Sequence, residues 1–595
     1  MFCINGVLMD VAVANDSENK IDYSKAPVDF FFAPGVDQGM AVLEYPKWFW
    51  RPAKRGKLAA FPASRYPHHN EKTEQIIDRA LRGRAFDCAI EFNSVPIVAE
   101  DVAFKNNSMS ICGKYIVSGA AGARIRNRYA WHSDYNAEQS DAAVEAYFTL
   151  LQDDEGPVKP LPVVLDDIEE LPFVIDARNM FNFYHFLVET LPRLNIAVQM
   201  EHKGPVYIYY KGDEQANFPR RFIDALYPEI ADRVEFRQTP GSHPAAISTF
   251  SFDGYYYQSP ERIMSSFDQH APDNWMWQKR RPDRQSKRTL DQNSFDTELK
   301  ALRERALAAI KDMDTSHLPK RFWVTRGNES VRARPMKNED KMIAALEEIG
   351  FECIRFENYT PLEQIALMYN AEVMASHHGA GFANMLFAGP DTHVIEVGTL
   401  QTAAGRWSDF MPLCHVSGCH YVCFFADHNW NTPDVEPDFT RDGHIGVALS
   451  ENGIKDITRY LAGICGVTDF FENRGEMLAT ANRMKESQSW KQLRTLLESK
   501  PALVANDWGL LQHFAHACDA LDDPMRTYTA LQSMWEMDKT KFRTLEWMIW
   551  LTRRLARFDL TPELVREHAK HFPKRHKGFM GKIQWYHRMK IDKPD

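Results

Sequence analysis

Between residues 320 and 400 strand and helix signals alternate without a gap, and this alternation limits the fold more than any other feature of the chain. RFWVTR (321–326) reads as a strand. KNEDKMIAALEEIG (337–350) reads as a helix, with Asn338 placed as its N-cap, acids in its first turn and Gly350 as its stop. FECIRFE (351–357) is the next strand. Thr360-Pro361-Leu362-Glu363 forms a capping box with proline at the first helical position, so a helix is expected over 361–370. AEVMAS (371–376) and HVIEVG (393–398) are strands on either side of GAGFANMLFA (379–388), a helix opening on glycines. Such an alternation builds a doubly wound parallel sheet.

A second α/β unit is expected upstream. PFVID (172–176) is a strand, FNFYHFLVETLPRLNIAV (181–198) has helical spacing, PVYIYY (205–210) is a strand and FPRRFIDAL (218–226) a helix. Residues 1–170 are mixed and β-leaning, with GKYIVSG (113–119) as a short strand and DDEGPVKPLP (153–162) as a connector. The charge run KRRPDRQSKR (279–288) reads as a solvated linker, which puts a boundary near 290. Past 470 the strand signal disappears. Residues 474–595 carry helical apolar stripes broken at Pro501, Pro524 and Pro562. Related helix pairs recur at about 35 residues, the range of tetratricopeptide-like repeats, with a plain helical bundle as the alternative. Three domains are therefore expected, over 1–290, 291–470 and 471–595.

Composition narrows the function classes. Lys+Arg number 71 and Asp+Glu 81, a net charge of −10, which argues against a bulk nucleic-acid binder. With 44% hydrophobic and 26% charged residues the chain can bury real cores, which excludes global disorder. No apolar run approaches the ~18–20 residues of a membrane span, and the first residues lack the basic start of a secretory signal. Nine cysteines, scattered from Cys3 to Cys518, read as reduced thiols in the cytoplasm. Attachment at the inner face of a membrane, through a partner, stays open.

Three clusters carry chemistry. In SHHGAGFANMLF (376–387) a strand ends, two histidines follow, and Gly379-Ala380-Gly381 opens a helix whose first N–H groups suit a diphosphate. Asn384 adds a donor, and Glu396, expected at the end of the next strand, could accept ribose hydroxyls. In VTRGNESVRARPMKNED (324–340) Arg326 follows a strand, and Arg332 and Arg334 lie in the loop beyond; guanidinium forks match phosphate oxygens. In NFYHFLVETLPR (182–193) His185 and Glu189 are four residues apart and share one helix face, as a base and its partner or as a self-satisfied buried pair. Pro192 frees the carbonyl of Val188 and should kink that helix. Cys414, His415, Cys419, His420 and Cys423 fall in no standard zinc spacing and read as core residues. The absence of G-x-G-x-x-G after a first strand weighs against a dinucleotide oxidoreductase.

Taken in order, NFYHFLVE, TRGNESVRARPMKNE, EQI (363–365), HGAGFAN (378–384) and VIEVG (394–398) resemble glycosyltransferase family 61, over about residues 170–425. The resemblance implies a GT-B-like pair of Rossmann-like α/β domains, here with an added C-terminal all-helical domain. It implies inverting transfer of a sugar from a nucleotide-sugar, usually a UDP-sugar, to a glycan or glycolipid hydroxyl, as in capsule or lipopolysaccharide assembly. Carried onto this chain, it gives Glu189 as the base with His185 orienting or replacing it. Arg326, Arg332, Arg334, Asn338 and His378 fall to the donor and its phosphates, with Gly379, Ala380, Gly381, Asn384 and Glu396. Asn182 and Arg193 fall to the acceptor side. No Asp-x-Asp lies at the donor edge, so neither metal nor cofactor is expected. Residues 471–595 leave room for a protein partner, for self-association, or for a protein acceptor. A non-catalytic glycan-binding or scaffold protein with a degenerate core is the other class.

Overall fold

The computed structural model describes residues 19–82, 88–119, 122–132, 137–164, 168–180, 182–212, 216–267, 292–326, 336–437, 442–471 and 473–588. The described residues form two large α/β sheets, a small three-stranded sheet of Ser294–Asp296, Ala89–Phe92 and Trp50–Ala53, and a helical C-terminal region. Among the described residues no helix is long and apolar enough to cross a membrane.

In the first sheet, strands Val234–Gln238, Val206–Tyr210, Phe173–Ala177 and Gly241–Ser251 lie side by side and parallel. An antiparallel meander continues it through Ser94–Lys105, Ser108–Ile111 and Lys114–Tyr115, with Met40–Val42 also paired to Ser94–Lys105. Of the expected strand at 113–119, only Lys114–Tyr115 is one. In the second sheet, Glu352–Ile354, Arg321–Val324, Val373–His377, His393–Thr399 and His420–Asn429 run parallel in that spatial order. Val373–His377 and His393–Thr399 are buried at every position, as strands covered on both faces must be.

Each sheet has a topological switch point. In chain order Phe173–Ala177 comes first, yet it sits between the second and fourth parallel strands; Arg321–Val324 likewise sits between the second and third strands of its sheet. Open α/β sheets hold ligands outside the carboxyl ends of strands at such points. Helix Thr297–Ala309 wedges between the two halves. It buries Leu299, Leu302 and Ala306 and touches Leu191–Gln199 on one side and Pro361–Asn370 and Ala380–Phe387 on the other.

The chain does not fill the sheets in sequence order. Lys57–Pro62, well inside the stretch expected to serve the first unit, pairs parallel with His420–Asn429 of the second sheet, from Lys57↔His420 to Pro62↔Phe425. Its run of Leu58, Ala59, Ala60 and Phe61 is buried there. The other half of that edge is closed by Gly446–Ala448, antiparallel.

In the C-terminal region helices begin at Arg474, Trp508 and Phe542, a step of 34 residues each time; the first packs on the second, and helix Pro524–Met537 packs on both the second and the third. Asn473 and Asp507 cap the first two through their side chains. These helices are not set apart from the rest. Met477, Met484, Leu493 and Leu497 belong to the same apolar cluster as Trp323, Val373, Ile395 and Val422 of the second sheet. His393 Nε2 lies 2.9 Å from Ser489 Oγ, and His420 Nδ1 lies 2.9 Å from Ser487 O. Both histidines open their strands, so this joint is at the amino ends, opposite the switch point. A chain ending at 470 would therefore expose that cluster to water. It should appear in the insoluble fraction on expression; a soluble truncated protein that melts cooperatively would show the tail to be independent.

Candidate active site

A cavity of about 1100 Å³ opens between the two switch points. That exceeds the ~300–1000 Å³ of an ordinary small-molecule site and leaves room for two substrates.

The first wall is built by the segment after Phe173–Ala177. Asn182 caps it, its side chain accepting from the backbone of Tyr184 and His185. The continuous helix expected over 181–198 is instead four short turns, because Pro192 has no N–H to give Val188. Leu191 N bonds back to Phe186 O, which makes Phe186–Thr190 a π-helical turn. His185 Nδ1 lies 2.9 Å from Glu189 Oε1, and Arg178 Nη1 donates to the same oxygen at 2.8 Å. Burial draws the Arg178 guanidinium below its ordinary range, and Glu189 opposes that shift. His185 lines the cavity and Glu189 does not. The imidazole faces the cleft, with the carboxylate clamped behind it.

The second wall is built by the carboxyl ends of Arg321–Val324 and Val373–His377. Arg326 lines the cavity and makes no hydrogen bond or ion pair among the described residues. A Cβ placed on Gly379 would fall 0.6 Å from Arg326 Nη2. The backbone there is extended, φ 173°, so glycine is required for space rather than conformation. Ala380 and Gly381 line the cavity beside it. At Gly381 a Cβ would meet only the Phe356 ring, at 3.5 Å, an ordinary contact. The turn runs on into a 3-10 helix, Ala380–Phe387, rather than an α-helix.

His378 also lines the cavity, and its Nδ1 bonds to Glu396 Oε1. Glu396 is not at a strand end. It lies in the middle of His393–Thr399, fully buried, with Oε2 receiving the Tyr421 hydroxyl and Cys423 Sγ at 3.6 Å. Burial pushes both the tyrosine and the cysteine well up, so both stay protonated as donors. Glu396 therefore cannot reach a ribose; it fixes the ring of His378. The cavity is flanked by two histidine–glutamate pairs, one from each sheet.

Other expected residues go elsewhere. Arg332 and Arg334 lie outside the described residues. Asn338 does not cap its helix: it is left-handed, φ 66°, and its Nδ2 donates to Leu449 O at 2.7 Å. Asn384 is fully buried off the cavity, with no partner for its amide among the described residues. Arg193 is buried beneath the first sheet, held by Asp176 Oδ1 at 2.7 Å and Thr249 Oγ1 at 2.9 Å. The residues of 414–423 disperse: His415 Nδ1 accepts from Gly56 N at 3.2 Å, His420 stacks on His393, and Cys423 turns to Glu396.

Sequence reasoning missed most of the positive charge. Arg124, Arg128, Arg178, Arg221, Arg326 and Arg406 all line the cavity, against Glu357 and Asp409 as its acids among the described residues. In a chain of net charge −10 this is a local excess of cation, aimed at an anionic ligand.

Cation-rich walls at two switch points, with a histidine on each, suit an anionic ligand. Residues 183–395 match the family model Glycosyltransferase 61, and the protein is a glycosyltransferase. That stretch is just over a third of the chain's length. The match includes Phe183 to Glu189, Arg326 and the 378–381 turn; it excludes Arg124, Arg128, Arg178 and Arg406. No curated protein matches the chain.

Proposed function

We propose an inverting transferase of GT-B build that moves a sugar from a UDP-sugar to a hydroxyl of a glycan or glycolipid in surface polysaccharide assembly, at the cytoplasmic side of a membrane. The single observation that carries this reading is the pairing of His185–Glu189 on one wall of the cavity with Arg326 and Gly379 on the other. On this reading residues up to about 290 serve the acceptor and 291–470 the donor, apart from the Lys57–Pro62 strand.

His185 Nε2 takes the proton of the acceptor hydroxyl as that oxygen bonds to the anomeric carbon. The bond from that carbon to the diphosphate oxygen breaks on the opposite face, which inverts the configuration. Glu189 holds the imidazole through Nδ1 and stabilises it once protonated. Arg326 and the N–H groups of the 379–381 turn receive the negative charge that develops on UDP.

The test is calorimetric titration with UDP followed by turnover of UDP-sugars with and without glycan. UDP should bind, Arg326→Ala should weaken it, and acceptor should speed UDP release. Since arginines carry the diphosphate, activity should survive EDTA; complete loss restored by Mn²⁺ or Mg²⁺ would overturn the metal-free mechanism. UDP bound but never released from a sugar donor would favour the scaffold reading.

A further inference from the structure

The cavity has one wall that the matched family region does not supply. Helix Gly122–His132 contributes Arg124, Asn127, Arg128 and Trp131 to it. These positions stand at i, i+3, i+4 and i+7, a single helix face. The rest of the helix is anchored: Ile125 and Tyr129 are fully buried, the Tyr129 hydroxyl donates to Lys25 O at 2.8 Å, and Arg126 pairs with Glu145 on another side. The four cavity residues are thus held on a fixed rod.

Neither Arg124 nor Arg128 has an ion-pair partner among the described residues. The carboxylates nearest this corner are taken, Glu189 by Arg178 and His185, and Asp409 by Arg406 at 2.7 Å. Partial desolvation, with the like charge of Arg178 second, brings Arg124 down to about 10, and Glu189 opposes the shift. Trp131 is 69% exposed at the cavity rim. An indole that open to water, beside donors and inside a sugar-transfer cavity, offers an apolar face to the C–H side of a pyranose.

We infer that this helix face is an acceptor subsite selecting a glycan that bears a negative group, a uronic-acid carboxylate or a sugar phosphate, with Arg124 and Arg128 holding the anion and Trp131 stacking on a ring. The inference rests on the transferase reading above and adds the acceptor's chemical class. The arginines are assigned to the acceptor because they stand on the His185 wall, across the cavity from Arg326 and Gly379.

Three probes test it: otherwise matched methyl disaccharides ending in glucuronic acid, glucose 6-phosphate or glucose, titrated calorimetrically into the full chain. One anionic probe should bind about 10–100-fold more tightly than the neutral one, the worth of one charge-assisted contact, and the better anion identifies the source. R124Q/R128Q should bring the three within about twofold, with melting temperature and UDP affinity unchanged, because only the charge difference is removed. W131A should weaken all three probes alike and leave their ratio intact. Equal binding of the neutral probe, or a preference that survives R124Q/R128Q, overturns the inference. So does an equally large loss of UDP affinity, which would give the arginines to the diphosphate. Wild-type protein that ignores UDP yet prefers the anionic probe fails the donor reading and upholds this one.

Discussion

His185→Asn is expected to lower kcat by about 10²–10⁴-fold, the usual worth of general base catalysis, while UDP affinity stays unchanged. The imidazole lines the cavity, and its Nδ1 is tied to Glu189, which leaves Nε2 to meet the acceptor hydroxyl. Glu189→Gln keeps the side-chain shape but loses the charge that stabilises the imidazolium, and leaves Arg178 half-buried without its counter-ion. Its defect should be smaller than that of His185→Asn and fall on kcat rather than KM. Steady-state kinetics with saturating donor separates the cases. A dead Glu189→Gln beside a near-normal His185→Asn would return the base to the carboxylate. Near-normal turnover in both would leave the pair as a structural one.

Gly379→Ala should remove as much UDP affinity as Arg326→Ala, about 10–100-fold for a lost charge-assisted phosphate contact of ~1.5–3 kcal/mol. The added methyl carbon would stand 0.6 Å from Arg326 Nη2, so the guanidinium has to leave its place. Gly381→Ala is the control. Its methyl would meet only Phe356, at 3.5 Å, and UDP should bind it within about threefold of wild type, the scale of a surface change of under ~0.7 kcal/mol. Calorimetry on the three variants decides. A wild-type Gly379→Ala alongside a crippled Gly381→Ala would move the diphosphate off Arg326 and onto the backbone of the turn.

The sequence carried what is local and little of what is long-range. The Thr360–Glu363 capping box has both of its bonds, because capping is settled within four residues. The His185–Glu189 contact follows from helical spacing in the same way. Asn338 has the composition of an N-cap, but Lys337 bridges Ala448 and the Asn338 amide reaches Leu449, more than a hundred residues on. Glu396 is internal to the strand whether that strand ends at Gly398, as expected, or at Thr399, as found, and Tyr421 and Cys423 of the next strand claim the carboxylate. Arg193, expected on the acceptor side, is held instead by Asp176, seventeen residues earlier in the chain, in a buried ion pair that local spacing does not reveal. The face Arg124, Asn127, Arg128, Trp131 was legible by spacing alone; the β-leaning composition around it hid the helix.

The placement of Lys57–Pro62 bears on how the protein is made. Its hydrogen-bonding partner, His420–Asn429, lies 363 residues further along the chain. A ribosome adding about 5–20 residues per second needs roughly 20–70 s to deliver that partner after the strand has emerged. Throughout that interval Leu58-Ala59-Ala60-Phe61 is an apolar strand with nothing to pair with, and nascent chains on neighbouring ribosomes carry the same segment. The residues around it are those that discourage such encounters: Lys54, Arg55 and Lys57 in front and Pro62 behind. Once the sheet closes, the Lys57 ammonium donates to Pro390 O at 2.9 Å, so a charge that guards the strand during synthesis becomes a tether in the finished molecule.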